Sequence, residues 1–276
     1  MRSQAAFTRS DLLAAIVLLS LLAFLAAPAA SVTRRVASTA LCQSNMRTLV
    51  RAWQLYADDY SGTFVFNYHG NAAMGSAASN PLNSPWAAGW LDWATTPDNT
   101  NVLYLRSQRF SRLAPFLEEA EGNVHKCPAD TYLSNAQRFR RFRERVRSVV
   151  MNGAIGDGNA PTGPWDPAYA QARRASELLF PGPERASVFL EEHPDSINDP
   201  FLFPPYRTSW IDLPAGLHGK ASTFAFTDGH VEMHQWRQSA RNQRVYYNFR
   251  PPNTRAGDAD ISWMSFHSNR RTEESY

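Results

Sequence analysis

The sequence predicts an α+β fold in which one long N-terminal α-helix packs on an antiparallel β-sheet. Three observations predict it: an uncharged apolar run over residues 12–30, an apolar stripe at helical spacing after that run, and an Asp-Gly turn between two alternating segments near residue 228. The chain has 276 residues, of which 43% are hydrophobic, so the part after residue 31 is long enough to bury a core.

The apolar run begins just after Asp11 and contains a single polar residue, Ser20. Its length matches that of a bilayer-spanning helix, which needs about 20 residues at about 1.5 Å per residue. A carboxylate beside such a run is costly unless it is paired. We therefore expect a membrane-spanning first half of the helix and a specific partner for Asp11.

The apolar stripe predicts that the helix continues well beyond the apolar run. Its members are spaced by four, three, four and three residues, which is the helical period. They are Cys42, Met46, Leu49, Trp53 and Tyr56. Gly62 is suited to a left-handed cap. We expect one helix from about residue 8 to residue 57, about 75 Å long, with a kink near Pro28.

The hairpin signal lies between residues 223–227 and 230–234, which alternate apolar and polar side chains on either side of Asp228 and Gly229. A tight two-residue turn needs positive φ at both central positions, and Asp-Gly supplies it. The apolar faces of the two strands are expected to pack on the long helix.

The first residues resemble the N-terminus of type IV prepilins and type II secretion pseudopilins. In that family a short basic leader is cut before the apolar helix, usually after Gly, and the new N-terminal residue, usually Phe, is N-methylated. Here Ala6 takes the place of the Gly, Phe7 becomes the mature N-terminus, and Asp11 stands where the family usually has Glu. The resemblance implies that Phe7 and Asp11 set the register of a filament, through the Phe7 amino group of a neighbouring subunit.

A second resemblance rests on His218, which nine residues separate from Asp228 and Gly229. This is the H-X9-DG pattern of a group of prepilin-type proteins. Further elements of that group are matched by Cys42 with Asn45, residues 56–59, residues 127–130, residues 148–153 and residues 192–199. We expect His218 and Asp228 to form a hydrogen-bonded pair that locks the hairpin to the preceding loop.

Together the two resemblances imply a pilin-like organisation of the chain. Its parts are a leader peptide (1–6), a transmembrane and filament-core helix (7–30), the second half of the spine helix (31–62), a globular pilin-like α+β domain (63–236) and a C-terminal extension (237–276). The mixed charges of the extension suggest a partly mobile end.

The function that the resemblance implies is structural, not enzymatic. Prepilin peptidase would process the chain, which would then assemble into a type IV pilus or a type II secretion pseudopilus. The implied partners are further copies, minor pilins or pseudopilins, the peptidase and an inner-membrane assembly platform. The implied location is the inner membrane with a periplasmic body, and a periplasmic or extracellular filament after assembly. Secretion, adhesion, motility and DNA uptake all fit.

The alternative is a membrane-anchored or secreted glycan-binding protein or hydrolase with an ordinary signal peptide. Ala27-Pro28-Ala29 would then be the cleavage site. The glycan surface would be Trp86, Trp90 and Trp93, which otherwise pack on the sheet. The chain lacks a nucleophile elbow, a phosphate loop and a dinucleotide fingerprint. Its net charge is +3, and the arginines between residues 138 and 147 indicate a solvated face, so no nucleic-acid partner is expected.

Cys42 and Cys127 are the only cysteines, and they are candidates for a disulfide if the body lies outside the cytoplasm. The alternative is two unpaired buried thiols. A disulfide requires that the two cysteines lie close together in the fold, so the sequence leaves both alternatives open.

Residues 191–199 are a candidate calcium loop, since calcium takes six to eight oxygen ligands. The candidate ligands are Glu192, Asp195, Asn198 and Asp199. The resemblance adds that major pseudopilins use a calcium-stabilised loop. An Asx-rich turn that bonds its own backbone is the alternative. His230, Glu232 and His234 share one strand face and offer a second arrangement of metal-ligand types, with a solvated polar face as the alternative.

Overall fold

The computed structural model describes residues 8–75, 84–159 and 165–271, and for residues 23–32 and 34 it describes the backbone alone. The predicted processing site at Ala6 and Phe7 lies outside these residues. The fold is α+β, with a five-stranded sheet against which the second half of the first helix packs.

Helix α1 is Arg9–Asp59, and its 51 residues span about 76 Å. It begins with a capping box: the Thr8 hydroxyl accepts a hydrogen bond from the Asp11 amide, and the Asp11 carboxylate accepts one from the Thr8 amide. It ends where Gly62 adopts a φ of 76° and its amide donates to the carbonyl of Ala57. Ser61, with a φ of 56°, and Gly62 are both left-handed, and of the two only the glycine adopts this conformation without steric cost.

The predicted apolar stripe is confirmed. All five of its residues are buried, namely Cys42, Met46, Leu49, Trp53 and Tyr56. This face of α1 packs on two central strands of the sheet and on the short turn Ala114–Leu117. The second half of α1 is therefore part of the hydrophobic core.

The sheet has the order β3-β1-β2-β4-β5. Its strands are β1 (Val149–Asn152), β2 (Ser187–Glu191), β3 (Phe201–Leu202), β4 (Ala221–Phe226) and β5 (Val231–Gln235). The smaller helices are α2 (Leu103–Arg106), α3 (Asn135–Phe139) and α4 (Ala259–Phe266). Single 3₁₀ turns lie at Gly70–Ala73, Pro97–Asn99, Ala114–Leu117 and Ala175–Glu177. Strands β1, β2 and β4 are buried along their whole length.

The predicted fold class needs correction at the sheet, which is mixed and not antiparallel. Strand β3 pairs with β1 in parallel, whereas the other strand pairs are antiparallel. After β2 the chain crosses the end of β1 through residues 192–200 and starts β3 on the far side of β1. Since β2 is antiparallel to β1, this further reversal makes β3 parallel to β1.

The predicted membrane-spanning segment, and the inner-membrane location drawn from it, also need correction. In the part of the chain that the structure describes, no helix combines the length and hydropathy needed to cross a membrane.

The predicted hairpin is formed by β4 and β5, but its turn differs from the expected two-residue form. Ala225 pairs with Val231, and the amide of Phe226 donates to the carbonyl of His230. The loop therefore has three residues, and of these only Gly229 has a positive φ, of 96°. A type I turn followed by a left-handed glycine is the common geometry for this loop length.

Most of the C-terminal extension is folded onto the body, whereas residues 272–276, which include the charged end predicted to be mobile, lie outside the described residues. Helix α4 buries Ile261 and Met264 in the core. The Asp260 carboxylate accepts hydrogen bonds from the amides of Arg237, Gln238 and Ala240, which ties α4 to the segment after β5. Residues 237–271 are thus an integral part of the folded body.

Candidate functional site

Four buried side chains with metal-ligand chemistry meet between α1 and the sheet. They are Cys42, Cys127, Glu191 and His218, hereafter the Cys-Glu-His cluster. One ligand atom from each lies within 4.8 Å of all the others. Among the described residues, this is the single group of three or more His, Cys, Asp or Glu side chains arranged in this way.

Each member of the cluster comes from a different element. Cys42 lies on the buried stripe of α1, and Glu191 is the last residue of β2. His218 lies in the loop before β4, where its amide donates to the carbonyl of Ala221. Cys127 starts a turn, and its backbone amide donates a 2.6 Å hydrogen bond to the Ser148 hydroxyl. The cluster therefore joins the helix, the sheet and two loops.

Glu191 is the centre of the hydrogen bonding in the cluster. Its Oε1 accepts from Cys42 Sγ at 2.8 Å and lies 2.8 Å from His218 Nε2. Its Oε2 accepts from the amide of Thr223 on β4 at 2.6 Å. Cys127 Sγ lies 3.3 Å from the same His218 Nε2. Every polar atom of this carboxylate is thus directed at a neighbour, although the side chain is fully buried.

A threonine on α1 fixes the orientation of the His218 ring. Thr39 Oγ1 lies 3.0 Å from His218 Nδ1 and also donates its proton to the Arg35 carbonyl at 3.0 Å. A hydroxyl has one proton to donate. The Thr39 oxygen must therefore accept from Nδ1–H, which leaves Nε2 directed at Cys127 and Glu191.

The charges in the cluster follow from these contacts. Burial lowers the pKa of His218, but its hydrogen bonds to Cys127 and Glu191 outweigh this effect and raise the pKa to about 10. Burial raises the pKa of Glu191, and the hydrogen bond from His218 reverses this, so the net shift is downward. The hydrogen bond to Cys127, burial and the Glu191 charge all raise the pKa of the Cys42 thiol. Without further ligands the cluster holds a His218–Glu191 ion pair beside a protonated Cys42 thiol.

The two cysteines are brought together, as the disulfide hypothesis requires, but both are free thiols. Both are buried, which matches the alternative of two unpaired buried thiols.

The expected pair between His218 and Asp228 is wrong. His218 faces Glu191, whereas Asp228 Oδ1 lies 2.6 Å from Nδ1 of its near neighbour His230. The three-residue loop turns Asp228 into solvent at the tip of the hairpin, away from the buried cluster. Gly229 packs beside Gln54 of α1, whose side-chain amide donates to the carbonyl of Thr227.

Three of the four candidate ligands in the calcium loop accept hydrogen bonds from backbone amides or from the Trp93 indole. Asp195 accepts from the Trp93 indole and from the amide of Tyr246. Asp199 accepts from the amides of Gly70 and Phe201. Asn198 accepts from the amide of Asp199, and burial together with the Asp212 charge raises the pKa of Glu192. These contacts fit the alternative of an Asx-rich loop, and the calcium site stays a prediction.

The other sequence candidates have structural surroundings. Trp86 is fully buried. The guanidinium carbon of Arg145 lies over the Trp93 ring, 4.0 Å from the ring centre. Arg147 donates to the carbonyls of Val149 and Asn198. On β5, His230 stacks on Phe226, whereas His234 stacks on Trp263. Trp86 and Trp93 follow the packing interpretation, and the two β5 histidines are engaged in separate aromatic stacks.

Sequence reasoning missed Glu191 and Thr39 as members of this site. Glu191 carried one signal, because it is a charged residue directly after the apolar run of residues 188–190. A charge at the end of a buried strand needs a partner. Thr39 carried no such signal.

Comparisons with protein-family models, with curated proteins and with solved structures found no match for this chain.

Proposed function

We propose that this protein is a structural subunit that assembles with copies of itself into a pilin-type or pseudopilin-type helical filament, through the N-terminal half of α1. The observation that carries the proposal is the exposure of large aliphatic side chains on every face of that half. They are Leu12, Leu13, Ile16, Val17, Leu18, Leu19, Leu21 and Leu22, each between 50% and 66% exposed. Four consecutive members, residues 16–19, cover the full circumference of a helix.

An apolar rod of this kind calls for apolar neighbours. Burying the remaining half of a Leu, Ile or Val side chain contributes roughly 1 kcal/mol, so the eight residues contribute roughly 8 kcal/mol. Association itself costs about 4–15 kcal/mol in lost freedom of motion. Contact with one further helix covers one face only. We therefore expect each helix to be surrounded by several copies, as in the core of a filament.

The direction of the rod is fixed by the other half of the same helix. The buried stripe of α1 lies in the core of the body from Met46 to Tyr56, and α1 is one continuous helix from Arg9 to Asp59. The exposed half therefore leaves the body at a defined angle. Subunits with a fixed angle between body and rod can repeat with one helical symmetry, which a filament requires.

Asp11 supplies the proposed register. Its carboxylate is exposed at the tip of α1, where hydrogen bonds from Thr8 lower its pKa, so it is charged at neutral pH. Cleavage before Phe7 would create a new amino group, and in the filament the Phe7 amino group of one subunit would lie next to Asp11 of its neighbour. A carboxylate within an apolar bundle is costly unless it is paired. A subunit shifted along the filament axis would leave Asp11 unpaired, so the pairing favours one axial position.

The alternative of a glycan-binding protein or hydrolase draws on a surface of three tryptophans. Two of them, Trp86 and Trp93, are held in the packing of the body. We therefore favour the structural role over this alternative.

The test is filament assembly in cells that supply a prepilin peptidase and an assembly platform. The full chain should be cut before Phe7, as intact mass shows, and should form filaments that electron microscopy detects. Asp11→Ala should reduce filaments by at least tenfold while the level of folded subunit stays the same. Asp59→Ala is the matched control, because Asp59 is an exposed carboxylate at the other end of the same helix.

Normal filaments from Asp11→Ala would refute the role of Asp11 in register. A processed wild-type chain that remains monomeric under these conditions would refute the filament proposal as a whole.

A further inference from the structure

We propose that the Cys-Glu-His cluster is a structural zinc site, in which Cys42, Cys127, Glu191 and His218 each supply one ligand. The inference concerns the folded body and does not rest on the filament proposal.

The donor set is suited to zinc. Thiolate sulfur and imidazole nitrogen are preferred zinc ligands, and a carboxylate oxygen completes a tetrahedral set of four. Neighbouring ligand atoms on a tetrahedral zinc lie about 3.3–3.8 Å apart. In the cluster the ligand atoms are 2.8 Å apart for His218 and Glu191, and 3.3 Å apart for Cys127 and His218. The Cys42–Glu191 pair is also 2.8 Å apart, and all four ligand atoms lie within 4.8 Å of one another, so changes in separation of about 1 Å or less would give the tetrahedral spacing.

The surrounding contacts are those of a metal site. A ligating histidine usually donates its other ring N–H to a fixed acceptor, which sets the tautomer. Here Thr39 accepts from His218 Nδ1–H because its own proton is donated to Arg35, so Nε2 is directed at the other ligands. Glu191 is oriented in the same way by the Thr223 amide on Oε2, which leaves Oε1 for the ion.

Zinc binding would replace protons of the ligands with one divalent ion. Binding requires that both thiols and His218 Nε2 each give up a proton, since only the deprotonated atoms can ligate. The ion then takes the place of the proton that Nε2 and Glu191 share at 2.8 Å. Two thiolates, one carboxylate and the divalent ion leave the loaded site with a net charge of about −1, and the hydrogen bond from the Thr223 amide to Glu191 Oε2 helps to stabilise that charge.

One ligand of the site borders a surface groove. The groove, of about 470 Å³, is lined by His218 and Thr39 and lies between α1 and the loop at Gly219, whereas Cys42, Cys127 and Glu191 are fully buried. Four protein ligands would fill the coordination sphere, which is typical of structural and not catalytic zinc. The ion would cross-link α1, the end of β2 and two loops at one point.

Metal content gives the first test. The full chain is expressed and purified in detergent, without chelator or oxidant, and zinc is measured by elemental analysis. We expect about one zinc per chain in the wild type and in His230→Asn, and a loss of at least tenfold in Cys127→Ser and in His218→Asn. His230 is the matched control, because it is an exposed histidine outside the cluster. A chelator should lower the melting temperature of the wild type and of His230→Asn alone.

A second measurement protects against variants that fail to fold. Wild-type protein stripped of zinc is titrated with Co²⁺, and tetrahedral thiolate ligation would give visible d–d bands together with a sulfur-to-cobalt charge-transfer band. Thr39→Val should weaken zinc affinity by about 10–100-fold without abolishing it, as is typical when the partner of a ligating histidine is lost.

Two results would overturn the proposal. One is a chain lighter by two hydrogens that binds no metal, which would mean a disulfide between Cys42 and Cys127. The other is a folded chain with two free thiols that neither retains zinc nor gives the cobalt spectrum.

Discussion

Replacing Leu49 with alanine tests whether the second half of α1 belongs to the core of the body. Leu49 is fully buried within the main hydrophobic cluster. The substitution removes the aliphatic branch, at about 0.8 kcal/mol per buried methylene, and leaves a cavity that the neighbours fill only in part. Buried Leu→Ala changes cost about 3–5 kcal/mol when both effects are included.

Leu41 offers the matched control, since it undergoes the same chemical change on the same helix. It is 52% exposed, so Leu41→Ala should alter the free energy of unfolding by about 0.5 kcal/mol or less. For a domain of this size, the loss at Leu49 corresponds to a fall in melting temperature of roughly 6–20 °C. Urea unfolding followed by tryptophan fluorescence gives the free energy directly, through the shift of the midpoint.

Equal effects at Leu41 and Leu49 would refute the reasoning, because they would mean that the stripe does not pack on the sheet. The fixed angle between body and rod, on which the filament proposal relies, would then lose its basis.

Gly229→Ala should destabilise the body by about 1–2 kcal/mol, because the residue has a φ of 96° and a Cβ there meets the Gln54 side chain, and an unchanged melting temperature would contradict this. His125→Phe should make the free energy of unfolding less sensitive to acid than it is in the wild type. Burial, followed by the charges of Arg147 and Arg106, depresses the pKa of His125 from 6.5 to about 3. Its contribution is therefore present above pH 6.5 and is lost as the pH falls towards 3, by about 2 kcal/mol between pH 7 and pH 5. Urea midpoints at the two pH values should differ less in the variant than in the wild type, and an equal difference would contradict the prediction.

The parts of the fold that could be predicted depend on short-range regularities. The stripe of α1 repeats at the helical period, so its burial follows from spacing alone. The Asp228-Gly229 hairpin follows from turn chemistry flanked by alternation. The loop length was wrong because the same dipeptide also serves a three-residue loop, in which only the glycine needs a positive φ.

The site depends on contacts that no local pattern encodes. His218 and Cys127 are 91 positions apart, and Cys42 and Glu191 are 149 apart. Which of the chain's acidic residues faces His218 is decided by the strand order, in which β2 lies between β1 and β4. Sequence spacing favoured Asp228, because it lies close along the chain. The structure selects Glu191, because the ends of β2 and the start of β4 meet beside α1.

The cluster and the exposed rod are two consequences of one helix. Thr39 and Cys42 lie about two thirds of the way along α1, where its buried stripe begins. A contact close to the point where the exposed half of α1 leaves the body restricts the angle between the two. An ion bound by Cys42, and by ligands from β2 and two loops, would hold α1 at that point. Loss of the cluster should therefore loosen the angle of the rod before it unfolds the body, so filament assembly should fail in Cys42→Ser at temperatures where the body remains folded.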